Sequence, residues 1–188
     1  CSIISQAIVI SIGLFTMYNP AFDPSNGIYR MLNILKHFDV NECIEVDRLR
    51  IYDFYLLFPY KAYSIRLKKT ETRFKELLHQ YVADKKENPY NKVTNDRRLF
   101  HQLQRYQMIA LSQIASYGLI DPELLLKQKV KVTDAARMQQ VMSQLEEMPQ
   151  AESNIIAWLN LCFRTTPLNG TYGLKYRTQL LEYKYDGC

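Results

Sequence analysis

The chain has 188 residues, 47% of them hydrophobic, and its 24 Lys and Arg against 19 Asp and Glu give a net charge of +5. That size and apolar share fit one well-filled core or two very small ones. The charge is far below that of a dedicated nucleic-acid-coating protein, so contact with DNA is permitted without being demanded.

Fourteen Tyr, eight Phe and one Trp make the chain aromatic-rich, and such rings favour protein interfaces as well as cores. The cysteines, Cys1, Cys43, Cys162 and Cys188, are widely scattered, without the spacing of a zinc site or a redox pair, which fits reduced thiols in a cytoplasmic protein. Cys162 lies in an apolar run and Cys43 beside one, so both are expected as small buried residues. Residues 1–16 are apolar, but Ser5, Gln6, Ser11 and Gly13 interrupt them and no basic residue precedes them. They are read as a buried helix or strand, or as an extension ahead of a natural start at Met17, and not as a signal or a membrane span.

Asp23-Pro24-Ser25-Asn26 can start a helix, and Ile28, Met31, Leu32, Leu35 and Phe38 then recur as one stripe, which predicts a helix ending near Asp39. Glu45 and Asp47 suit the positive end of a second helix, whose apolar run from Ile51 to Phe58 meets Pro59 and stops. Phe74, Leu77, Leu78 and Tyr81 mark a third helix, and the polar stretch Asp84 to Asn95 is the best internal boundary. Asn95 and Asp96 can cap a long helix through Leu99, Leu103, Tyr106, Ala110, Ile114 and Tyr117, ended by Gly118 in a left-handed cap. Asp121-Pro122 opens a short helix, Lys129 to Thr133 alternates Lys and Val like a strand, and Asp134 caps a helix bearing Met138, Val141, Met142 and Leu145. Ile155 to Phe163, with Trp158, is apolar almost all round and is expected to be deeply buried. Asn169-Gly170 predicts a turn, and the alternation of Leu181, Tyr183 and Tyr185 with charges predicts a last strand. The fold class is therefore mainly α with a few short strands. A helical lobe at 17–93 and a winged-helix-like lobe at 94–188 are expected to pack as one compact unit.

The glycines form neither a phosphate loop nor a dinucleotide fingerprint, and His37, His79 and His101 have no partner histidine one helical turn away. His37, Asp39, Glu42 and Cys43 resemble a nucleophile with a base, but they straddle a helix end where Asp acts as a local cap. Glu42, Glu45, Asp47 and Asp53 could hold a divalent cation, yet Arg48 and Arg50 lie among them, as on a solvated helix face of mixed charge. No catalytic, cofactor-binding or metal residue is assigned, and no cofactor is expected.

The clearest electrostatic signal is Lys61, Arg66, Lys68, Lys69, Arg73 and Lys75, opposed within that span only by Glu71 and flanked by Tyr60 and Tyr63. Such a segment can bind phosphates or dock on an acidic partner. Lys127, Lys129 and Lys131 form a second, weaker group, placed like the wing of a winged helix.

Four blocks carry a resemblance to a known family over Tyr18 to Asp186. They are Tyr18-Asn19-Pro20-Ala21-Phe22-Asp23 with Ile28-Tyr29-Arg30; the run Ile44 to Pro59; Arg98-Leu99-Phe100 through Gln107, Ala110 and Leu111 to Gly118-Leu119-Ile120; and Gly173-Leu174-Lys175 with Arg177-Thr178, then Glu182 to Asp186. In these the chain resembles the middle component of bacterial ABC-three-component systems, the group that includes the Lamassu antiphage operons. Gln179 stands where that pattern leads one to expect a glycine. The resemblance implies a small non-catalytic subunit between an SMC-like or RecN-like ATPase and an effector that is often a nuclease, similar in role to the tandem winged-helix (KITE-like) partners of chromosome-organising complexes. It allows DNA contact through the complex, and no membrane partner is expected. The alternative from the residues alone is a free-standing winged-helix transcription regulator, a dimer with sequence-selective DNA binding.

Overall fold

The computed structural model describes residues 20–82 and 95–182. The apolar stretch 1–16, residues 84–94 of the polar stretch, and Tyr183 and Tyr185 of the expected last strand lie outside the described residues. The helices are α1 (Pro24–Leu35), α2 (Val46–Leu57), α3 (Thr72–Tyr81), α4 (Asp96–Ser116), α5 (Pro122–Leu126), α6 (Ala135–Met142), α7 (Gln150–Phe163) and α8 (Leu174–Thr178), with 3-10 turns at Pro20–Phe22 and Pro59–Ser64. Two short strands, β1 (Ile44–Glu45) and β2 (Lys129–Val130), pair antiparallel with Ile44 opposite Val130 and Glu45 opposite Lys129. The protein is thus mainly helical, with one two-stranded sheet among the described residues.

Local chemistry sets the helix starts. The Asp23 carboxylate accepts from Ser25 N–H at 2.8 Å, the Asn95 side chain from Arg98 N–H at 3.1 Å, Asp121 from Glu123 and Leu124 N–H at 2.8 and 3.1 Å, and Asp134 from Arg137 N–H at 3.0 Å. Each satisfies amide donors that a helix leaves unpaired at its first turn. Gly118, at φ +71°, provides the left-handed residue beyond the end of α4. Helix α1 ends at Leu35, not near Asp39, because the chain tightens there: His37 N–H donates to Ile34 and Phe38 N–H to Leu35. Phe38 stays buried on that tighter turn.

Helix α2 is the centre of the molecule, buried from Val46 to Leu56 except for its solvent-touching Asp47, with α1, α4 and α7 packed around it. Helix α1 also lies along α4, and α3 along α7. One continuous cluster of buried side chains runs through these helices, from Met31 through Phe54 and Phe100 to Trp158. The expected strand at 129–133 is shorter than its Lys-Val alternation predicts: β2 covers Lys129–Val130, and Val132 makes only an isolated bridge to Ile120. After β2 the chain turns directly into α6. Leu181 and Glu182 are not in a strand. Helix α7 is not buried all round, since Ala157 is exposed and Leu161 is 56% exposed on the side away from α2 and α3. No helix among the described residues is long and apolar enough to cross a membrane.

Candidate functional site

The charges of α2 are interior fasteners. Asp53, fully buried, accepts from Arg30 Nε of α1 at 2.5 Å and from Gln107 Nε2 of α4 at 2.9 Å. Gln107 also donates to the Arg50 carbonyl and accepts from Arg50 Nε, while Arg50 reaches Asp47 at 2.7 Å and lies over the Phe100 ring. Arg48 pairs with Glu45 and donates to the carbonyls of Phe163 and Thr166, each at 2.7 Å, holding the C-terminal end of α7. That is where unpaired carbonyls and the negative end of the helix dipole favour a cation. The solvated face of mixed charge expected here is instead largely inside: Arg48, Arg50 and Asp53 are buried and Glu45 and Asp47 half-buried, because α1, α4 and α7 pack around α2 and each of these charges has a partner within reach.

The second acidic cluster is held similarly. Arg164 binds Asp39 at 2.9 Å, Glu42 at 2.7 Å and the His37 carbonyl at 2.9 Å. Burial, and then the positive charges of Lys36 and Arg164, push the His37 imidazole below its ordinary range. Cys43 is exposed, contrary to expectation, because it lies in the turn leading to β1. Cys162 is buried as expected, which pushes its thiol up to about 12.

Among the basic candidates the structure separates one residue from the rest. Lys61 is buried and its ammonium meets Asp96 at 2.5 Å, so it works inside the fold. Arg66, Lys68, Lys69, Arg73 and Lys75 are exposed. Lys127, Lys129 and half-buried Lys131 lie elsewhere, at the end of α5, in β2 and just after it, with Lys129 opposite Glu45. Tyr63, expected as an aromatic neighbour of the basic segment, turns its hydroxyl to the Val82 carbonyl and its ring to His79. The rings beside the cations come from a different part of the chain. Arg66 lies over Tyr176 with 5.1 Å to the ring centre, and Lys68 over Tyr172 with 5.0 Å. The two tyrosines meet edge to face at 5.7 Å.

Arg177 of α8, 4% exposed, builds this arrangement from beneath. It clasps both oxygens of Glu71, at 2.8 and 3.0 Å, and donates to the carbonyls of Tyr172 at 2.7 Å and Arg66 at 3.3 Å. Arg66 N–H returns a bond to the Arg177 carbonyl at 2.9 Å. A forked guanidinium suits this task, since it meets a carboxylate through two parallel bonds and has donors left over. Gly173, just before α8, is required for another reason: a side chain there would collide with the Asn169 carbonyl, because the turn closes back on itself. In the sequence Arg177 stands out only within a block of resemblance; a lone arginine in a short polar segment carries no signal of burial.

The pair gives a pH prediction. The hydrogen bonds from Arg177 hold the Glu71 carboxyl below its ordinary value of 4.5. A group depressed in the folded state stabilises fully above its unfolded pKa and loses that contribution as pH falls through the folded one. Wild type should therefore be more stable than Glu71→Gln at pH 7, with the gap shrinking below the ordinary carboxylate range; urea midpoints of the two proteins measured across that range check it. A gap that stays constant into strong acid would show that the carboxylate charge does not matter.

A family model described as ABC-three component (ABC-3C) system Middle Component 5 matches residues 16–186. No curated protein and no solved structure matches the chain.

Proposed function

The chain belongs to the Middle Component 5 family of ABC-three-component systems, and from that premise we propose that it is a non-catalytic adaptor, joining an SMC-like or RecN-like ABC ATPase to an effector subunit such as a nuclease in an antiphage or anti-plasmid defence complex. The observation that carries this is the extent of the family match, which takes in every described helix and both strands. A middle component works beside the other members of its system, so partners are part of its role.

The chemistry of the interior supports an adaptor over an enzyme. In the interior Asp53 is engaged by Arg30 and Glu71 by Arg177, and at the surface Arg164 engages exposed Asp39 and half-buried Glu42. The Cys162 thiol is far from forming a thiolate at neutral pH. These groups fasten helices to one another.

Co-expression with the genes on either side tests the reading. A purified complex whose mass, by light scattering, accounts for this chain together with an ATPase is the expected result. A chain that never leaves the column with an ATPase would refute the adaptor role. A lone dimer with sequence-selective duplex binding would replace it with the winged-helix regulator, a reading the basic groups on α5 and β2 would then serve.

A further inference from the structure

We propose that the surface made by Arg66, Lys68 and Lys69 with Tyr172 and Tyr176 binds single-stranded nucleic acid, with phosphates on the cations and a base on the Tyr172 ring. This concerns the isolated chain and stands apart from the adaptor role.

Three observations combine. First, cations and rings from two distant segments are interleaved at one place, Arg66 over Tyr176 and Lys68 over Tyr172, with the two rings in contact. Positive groups beside aromatic platforms are how proteins hold unpaired strands, because every base has a face that can stack and every linkage a phosphate. Second, the acid within this segment is turned away from the surface. Glu71 lies against buried Arg177, its side chain 17% exposed, while Lys68 and Lys69 are exposed. The same Arg177 binds the backbone of both segments, at the Tyr172 and Arg66 carbonyls, so rings and cations share one fixed support. Preorganisation of that kind lowers the cost of binding.

Third, Tyr172 has φ +69° and is 51% exposed. A left-handed backbone is costly for a residue with a bulky side chain and free for glycine. An exposed ring recovers little of that cost through burial, and strain of this sort gathers where a side chain is held out for a ligand. A duplex presents phosphates but keeps its bases stacked, and an acidic peptide presents carboxylates without a base; neither uses the ring. The combination selects an unpaired strand.

The test is fluorescence anisotropy on the full chain, with labelled oligothymidylate, oligouridylate and a duplex of equal length over a series of salt concentrations. Expected are tighter binding of a single strand than of the duplex, and a salt slope near −2, that of about three phosphate contacts at roughly −0.7 each. Tyr172→Gly should weaken single-strand binding about tenfold, the effect of losing one stacked base, while its melting temperature is unchanged or raised, since glycine takes the same backbone freely. Lys68→Glu with Lys69→Glu should weaken binding further and flatten the salt slope, which keeps the test informative should the glycine variant misfold. Preference for the thymidylate identifies DNA as the ligand and preference for the uridylate RNA; either sustains the proposal. No measurable binding, equal or tighter duplex binding, or a well-folded Tyr172→Gly that binds like wild type overturns it. Displacement by polyglutamate as effective as by unlabelled oligonucleotide also overturns it, in favour of an acidic protein partner.

Discussion

Trp158→Ala will lower the free energy of unfolding by about 3 to 5 kcal/mol, the range for removing a large buried aromatic side chain. The indole is fully buried, packs edge to face on Phe163 at 5.5 Å, and donates to the Phe74 carbonyl at 2.9 Å. It thereby ties α3 to α7. For a chain of this length the melting temperature should fall by about 10 °C. Trp158→Phe separates the two contributions: it keeps much of the ring volume but removes the N–H, and should cost less than the alanine variant. Since this is the sole tryptophan, wild-type unfolding can be followed by its fluorescence and the variants by circular dichroism. A wild-type melting temperature in the alanine variant would mean that α7 does not pack as described.

That burial was legible in the sequence, and so were the helix starts, for a common reason. A cap needs one side chain and an amide two or three residues on, as at Asp23, Asn95, Asp121 and Asp134, and an apolar stripe such as Met31, Leu32 and Leu35 repeats within two turns. Contacts across the chain leave no such trace. The pairing of Ile44–Glu45 with Lys129–Val130 joins strands two residues long; the Lys-Val alternation marks the second of them, but nothing in it points to Ile44–Glu45 as the partner. The charges of α2 look solvated in the sequence for a related reason. Arg48 three residues after Glu45, and Arg50 three after Asp47, have the spacing of surface ion pairs. One signal did point inward: from Ile51 to Phe58 only Asp53 interrupts the apolar and aromatic residues, which leaves that helix little solvent face of its own.

The basic segment shows the same division. Its charge was plain, but the sequence gives no means of telling Lys61, which turns inward to Asp96, from Lys68, which stays outside. Nor could it show that Tyr172 and Tyr176, far along the chain, lie beside the exposed cations Lys68 and Arg66. Gln179 is a partial exception. It stands where the family pattern leads one to expect a glycine, and its φ of +57°, at the end of α8, is the left-handed conformation that a glycine adopts without strain.

Asp53→Ala should destabilise the protein by about 3 to 5 kcal/mol, the cost of leaving a buried charge without its counter-ion. Arg30 would lose a 2.5 Å ion pair at a site 7% exposed, and Gln107 a 2.9 Å acceptor. The size of that loss does not measure how much the pair stabilises the fold, because removing both charges from water was itself costly. The double variant Arg30→Met with Asp53→Leu tells the two apart. If the pair mainly fixes how α1, α2 and α4 meet, the double variant should regain most of the stability lost in Asp53→Ala, since two apolar side chains need no partner. Urea denaturation of wild type, Arg30→Met, Asp53→Leu and the double closes the cycle, and a coupling of about 1 to 3 kcal/mol is expected between residues in direct contact. Should the double variant instead be as unstable as the sum of the singles, the ion pair would be replaceable by nothing apolar, and Gln107, which keeps its bonds to Arg50 but loses the Asp53 acceptor for its Nε2, would be the first place to look for the remaining cost.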